Sequence, residues 1–183
     1  ATLTVDVERV MSGKDQMGNG SLRARLHDGR AEIGPVKIAV PGGSAKWSLS
    51  YEPTDKDVQA DLKIDIDNFE YGILARRIKP ESDMKGKVTV HVDVAARAPR
   101  LSEILKTGKG NIEFAVWPEN LKSGVFDMWA VNVLVALLPT IDSNNASKVN
   151  CAIGRFTLDQ GKLLQRSLII DTSEMRVTGN TSV

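Results

Sequence analysis

The sequence is short of most residues that announce a chemistry. It carries one cysteine, two histidines and 5% aromatic residues in 183. A lone thiol, Cys151, excludes an internal disulfide and leaves the redox compartment open. It alternates with apolar Val149 and Ile153, which predicts a buried, inert sulfur, whereas reactive thiols need an electropositive, partly exposed setting. An excess of charge is missing as well. Lys and Arg number 24 against 23 Asp and Glu, a net charge of +1, and the cations are scattered, so there is no basic stripe for nucleic acid. No stretch reaches the roughly 18 uncharged apolar residues that cross a bilayer, and no signal peptide opens the chain. A soluble or peripheral polypeptide is the expectation. Because the chain starts without methionine and stops inside the alternating run Met175 to Val183, it also reads as a fragment, which leaves room for a membrane anchor outside it.

Catalytic signatures are equally scarce. Gly108-Lys-Gly110 lacks the rest of a phosphate loop, and no GxGxxG follows a strand. The GxSxG elbow is absent. His27 and His91 are isolated and fall on the polar register of their strands, so both read as surface histidines. Asp61, Asp65 and Asp67 are spaced evenly enough to face one cation. Lys63 stands among them, and the wet face of a half-buried strand explains all four. The expectation is a protein without catalytic residues, cofactor or metal.

What is abundant is period-two alternation. It runs through Leu3/Val5/Val7, Leu22/Ala24/Leu26, Val36/Ile38/Val40, Ala45/Trp47/Leu49/Tyr51, Val58/Ala60/Leu62/Ile64/Ile66 and Val88/Val90/Val92/Val94. Each set puts apolar side chains on one sheet face and polar ones on the other, the mark of antiparallel strands. Asp28-Gly29 suits a two-residue hairpin turn, and Gly42-Gly43, Pro53 to Asp57 and Asp159-Gln-Gly161 separate further strands. The strands from Val58 and from Met84 are long. Phe69 to Ile78 has helical spacing at Leu74 and Ile78, with Asp67 or Asn68 as N-cap and Pro80 as stop. Leu101 to Lys106 predicts a second short helix. Each helix leads through a glycine-containing turn into a strand, a structural echo without residue-level repetition.

One segment breaks the alternation: Phe126-Asp-Met-Trp-Ala-Val-Asn-Val-Leu-Val-Ala-Leu-Leu-Pro139. Phe126, Trp129, Val133 and Leu137 share a helical face, but Met128, Val131, Leu134, Val135 and Leu138 spread apolar character around the circumference. Such a helix is expected to be buried on nearly all sides, either as core within a curved sheet or as a wall of a lipid-holding groove. Its interior Asn132 then needs a hydrogen-bonding partner.

At these residues the sequence resembles the C-terminal region of the AsmA family of bacterial envelope proteins. The motif comprises Phe126, Asp127, Trp129, Asn132, Leu137 and Pro139, then Val149-Asn150-Cys151, an apolar run through Phe156, Gly161 and Leu168 to Thr172. Gly34 to Ile38 and Pro99 to Leu105 also look like this family. The likeness spans most of the chain, and residues 108–172 are its specific part. The resemblance implies a bridge-like lipid transfer architecture, a long curved β-sheet with an apolar groove in the periplasm, anchored to the inner membrane outside this fragment. It implies transfer of phospholipid between inner and outer membranes of a Gram-negative envelope, or outer-membrane biogenesis.

The fold expected is therefore a single, mainly β, strongly twisted antiparallel sheet over residues 1–183, with a groove and short helices on its concave side. Acyl chains would partition passively onto an apolar strip while head groups stay wet. The expected lining is Leu62, Ile64, Ile66, Val88, Val90, Val92, Val94, Ile112, Phe114 and Val116, with Trp129 and Leu134 from the helix. Phospholipid and membrane are the expected partners, with other envelope proteins a further class. Two alternatives stay open: an interaction module working through its sheet edges, and a degenerate hydrolase.

Overall fold

Alternating sequences connected by tight turns build a meander, and in a computed structural model of the chain each strand pairs with the next in sequence. The order is β1 (Thr2–Ser12), β2 (Asp15–His27), β3 (Arg30–Val40), β4 (Gly43–Pro53), β5 (Val58–Glu70), β6 (Lys85–Ala98), β7 (Lys109–Glu119), β8 (Val149–Asp159), β9 (Lys162–Thr172) and β10 (Arg176–Asn180). Every pairing is antiparallel. The sheet is curled and unclosed. The structure describes residues 1–12, 15–40, 42–79, 81–119 and 149–180. The apolar segment Phe126 to Leu138, with Asp127, Trp129, Asn132, Leu134, Leu137 and the following Pro139, lies outside the described residues.

The turns follow their chemistry. Asp28 (φ 48) and Gly29 (φ 75) form the two-residue β2–β3 link, and Gln160 (φ 47) with Gly161 (φ 73) forms the β8–β9 link. Both residues of each pair are left-handed, the type I′ geometry that matches strand twist. At the four-residue β4–β5 turn, the Thr54 hydroxyl donates to Asp57 Oδ1 at 2.7 Å and accepts from the Asp57 amide at 3.1 Å.

Bulges supply curvature. The pairing slips between Val7 and Val10, Ile33 and Val36, and Ile66 and Phe69. Each extra residue resets the alternation, so apolar residues three apart land on one face. This corrects the helix expected from Phe69. Asn68 takes φ 50 as the bulge, β5 runs on to Glu70, and α1 covers only Gly72–Ile78. Neither Asp67 nor Asn68 caps the helix; Tyr71 occupies the N-cap position without a side-chain bond. Instead the Glu70 carboxylate accepts from the amides of Gly72 and Gly86, both at 3.1 Å, tying the first turn of α1 to the start of β6. The second short helix is where alternation stops, at Leu101–Lys106, and is a 3-10 helix. Chain direction puts α1 and the 3-10 helix at opposite ends of the strands, so they flank the two long rims of the sheet.

Hardly anything is enclosed. Among the described residues the buried hydrophobic side chains are Ala98, 1% exposed, and Ile170, 3% exposed. Nine strands of 11–14 residues reach about 36–46 Å each, and with the five-residue β10 the stack spans about 40 Å. So large a one-sided sheet keeps most of its apolar face only half covered.

Candidate functional site

Residues directly opposite in an antiparallel pair point to the same face, so the register determines what each face displays. One row runs Val36, Trp47, Ile64, Val92, Ile112, Phe156 from β3 to β8. A parallel row holds Ile38, Ala45, Ile66, Val90, Phe114, Gly154 and Leu168. Leu62 sits opposite Val94, and Val88 opposite Val116. All ten strand residues expected to line a groove thus share one face. Trp129 and Leu134 fall outside the described residues.

The face is longer than the sequence reading proposed. Val5, Val7, Val10, Leu22, Val36, Ile38, Val40, Ala45, Ile66 and Phe69 line a trough of about 590 Å³ on β1 to β5. That is the size of a small-molecule site. The same alternation that marked β5 and β6 was present in Leu3/Val5/Val7 and Val36/Ile38/Val40, and would have found it. Phe69 could not be found that way, because the Asn68 bulge changes its phase.

Toward β7 and β8 the face is filled from within. The rings of Phe114 and Phe156 stack with centroids 6.0 Å apart and planes at 15°. Gly154, opposite Phe114, lets them do so, since a Cβ there would overlap the Phe114 ring. Near α1 the Tyr71 ring lies over Gly86, where a Cβ would meet the phenol. Burial, with Glu70 and Glu119 adding to it, pushes the Tyr71 hydroxyl up to about 12.

The opposite face is charged. Lys46, Asp65, His91, Glu113 and Arg155 stand in one cross-strand row. His91 Nδ1 lies 3.1 Å from Asp65 Oδ1, and Arg155 Nε is 3.6 Å from Glu113 Oε2. Lys63 pairs with Asp93 at 3.3 Å. Such exposed pairs contribute at most about 1 kcal/mol each; their effect is to keep this face in water and the other out of it. Both histidines are on the surface as expected, His27 beside Asp28 at 2.7 Å. Asp61, Asp65 and Asp67 are spread over this ladder, and among the described residues no three acidic, histidine or cysteine side chains converge on a metal position. A concavity of about 730 Å³ here mixes Asp6 and Glu8 with Lys37 and Lys46.

Val149-Asn150-Cys151 has a structural role. The pairing slips between Val149 and Cys151, and the bulged Asn150 donates its amide to Asp171 Oδ2 at 3.0 Å. Arg176 Nε binds Asp171 Oδ1 at 2.8 Å. Chiefly through the Asn150 bond, then Arg176, the Asp171 carboxyl is held below its ordinary range. Cys151 faces the same side as Asp171 and is half-buried rather than buried, because that face is open to solvent. Among the described residues no helix is long and apolar enough to cross a membrane.

No family model, curated protein or solved structure matches the chain.

Proposed function

We propose that the chain is a lipid carrier whose apolar face receives phospholipid acyl chains while head groups stay at the wet rim. The observation that carries this reading is the unbroken apolar row across strands β3 to β8, continued by the β1–β5 trough, with almost no hydrophobic side chain enclosed among the described residues. Exposed apolar area costs about 25 cal/mol per Å², and a surface of this extent marks a binding site. Acyl chains fit it because it is long, continuous and without polar anchor points that would fix a particular rigid ligand. The residues that resemble the AsmA family support the rest of the proposal: a periplasmic setting, an inner-membrane anchor elsewhere in the protein, and movement of phospholipid between inner and outer membranes without enzymatic chemistry.

The test is mass spectrometry of lipid extracted from the purified chain, with Ile64→Glu as comparison. Ile64 sits between Trp47 and Val92 in the central row, so a carboxylate there breaks the strip in its middle. Phospholipid in the native chain and at least about tenfold less in the variant is expected, since an unpaired charge in an apolar site costs well over 1.4 kcal/mol. Equal lipid in both, or none in either, overturns the reading.

A second reading rests on the edges. Among the described residues β1 and β10 each pair on one side only, and an unpaired strand is a template for strand addition. On this reading the chain is an interaction module of envelope assembly, and pull-down of strand-paired partners without copurified lipid would favour it.

A further inference from the structure

The rim that carries the 3-10 helix exposes leucine to an unusual degree. Leu105 is 84% exposed, Leu101 57% and Leu163 55%. The β8–β9 turn is held against the 3-10 helix: the Gly161 amide donates to the Gly108 carbonyl at 3.1 Å, and a Cβ on Gly161 would press on the backbone of Leu105 and Lys106. Two strand ends and one helix thus meet in a single corner. Around the leucines stand Arg100, Lys106 and Lys162, none of which makes an ion pair with a described residue. Residues 100–109 and 159–166 together carry five cations and two carboxylates, and no aromatic residue.

We infer that this corner docks onto the surface of an anionic phospholipid bilayer, with the leucines entering the interface and the cations meeting phosphate. Charge complementarity selects that occupant. Protein–protein interfaces favour Tyr, Trp, Phe and Met and are depleted in lysine; this corner has leucine and lysine instead. Lysine stems lie along apolar surface while their ammonium groups reach the head groups. The corner borders the apolar face at its β8–β9 end, since Leu163 faces Leu158, which stands opposite Gly110 in the row of Val94, and the Leu158 side chain touches Gly108 at the foot of the helix. Docking therefore extends the lipid-carrier reading by giving the apolar face a path to a membrane, but it does not depend on lipid being held in the trough.

The experiment is cosedimentation of the 183-residue chain with phosphatidylcholine vesicles, with and without phosphatidylglycerol. Binding that requires phosphatidylglycerol and weakens with salt is expected. Leu101→Ser with Leu105→Ser should lower partitioning at least about tenfold, because two leucines lose their transfer free energy. Lys106→Glu with Lys162→Glu should lower it at least about fivefold per site at low salt and remove the phosphatidylglycerol requirement. All four side chains are exposed, so unchanged thermal unfolding of both variants confirms that the fold is intact. Ile64→Glu, which interrupts the central apolar row, should sediment like the native chain; this separates failure of docking from failure of lipid carriage. Native binding by either double variant overturns the inference. So does absence of vesicle binding together with self-association that Leu101→Ser/Leu105→Ser abolishes, which would make a second copy the occupant.

Discussion

The two halves of the apolar face share one sequence pattern and differ in what fills it. From β1 to β5 the trough is lined chiefly by valine and isoleucine, with Leu22, Ala45 and Phe69, and it stays open; Val5, Val7, Val10 and Ile38 are each more than a third exposed. From β6 to β9 two phenylalanines stack over a glycine, and Ile170 is almost fully covered. Aliphatic side chains of similar length make a smooth floor. An aromatic pair with a glycine beneath it makes a packed core. Alternation decides which face is apolar, whereas side-chain volume decides whether that face closes on itself or waits for a ligand.

The comparison is most directly tested at its packed side. Phe114→Ala should cost about 2–3 kcal/mol, somewhat less than a fully buried phenylalanine, measured by urea denaturation, while leaving lipid content unchanged. Gly154→Val should cost about 1–3 kcal/mol by forcing the rings apart. A loss of bound lipid in either variant without loss of stability would mean that the packed half is also a binding surface. On the open side the dissociation should reverse. Ile38→Glu should reduce copurified lipid about tenfold while shifting stability by less than about 1 kcal/mol, because Ile38 is already 38% exposed. Val7→Ala should change stability by less than about 0.5 kcal/mol; a larger loss would show that the open half is covered in solution. The smallest effect concerns acid. The Asp171 carboxyl is lowered by Asn150 and Arg176, so its stabilisation is present above the ordinary aspartate range and is lost as pH falls through the lowered value. Asn150→Ala should therefore lower stability slightly at neutral pH and move the midpoint of acid unfolding, followed by circular dichroism, toward higher pH, with the difference from the native chain vanishing below the lowered value.

Most of this architecture was legible in the chain, because a one-sided antiparallel sheet writes its period directly into the residues. Leu62 to Ile66, Val88 to Val94 and Ile112 to Val116 read correctly as one face, and the turns at Asp28-Gly29 and Gln160-Gly161 announced themselves. What period-two reading could not see are the bulges. Three-residue spacing between Ile66 and Phe69 looks helical, and only the left-handed backbone at Asn68 shows it to be a strand with one residue too many. Among the residues that carry the family resemblance, Val149-Asn150-Cys151 build a bulge and a carboxylate clamp, while Phe126 to Pro139 lies outside the described residues. The β1–β5 trough was readable in principle, yet nothing in the sequence says that valine and isoleucine in one half lie open while phenylalanine in the other does not. That distinction is a property of packing across five strands at once.

Strictly sequential pairing gives the molecule an almost one-dimensional energetics. Among the described residues every strand pairs only with the strands before and after it, so stability is close to a sum of neighbour terms, as in repeat proteins. Hydrogen exchange should then fade from both ends of the strand order toward the middle, as fraying ends open before interior strands. Each strand's partner is the next one in sequence, so loop closure is short wherever a tight turn links them. Trough length, on this account, is a count of hairpins: adding or deleting one changes the reach of the apolar face by about 10 Å without asking the remaining strands to find new partners.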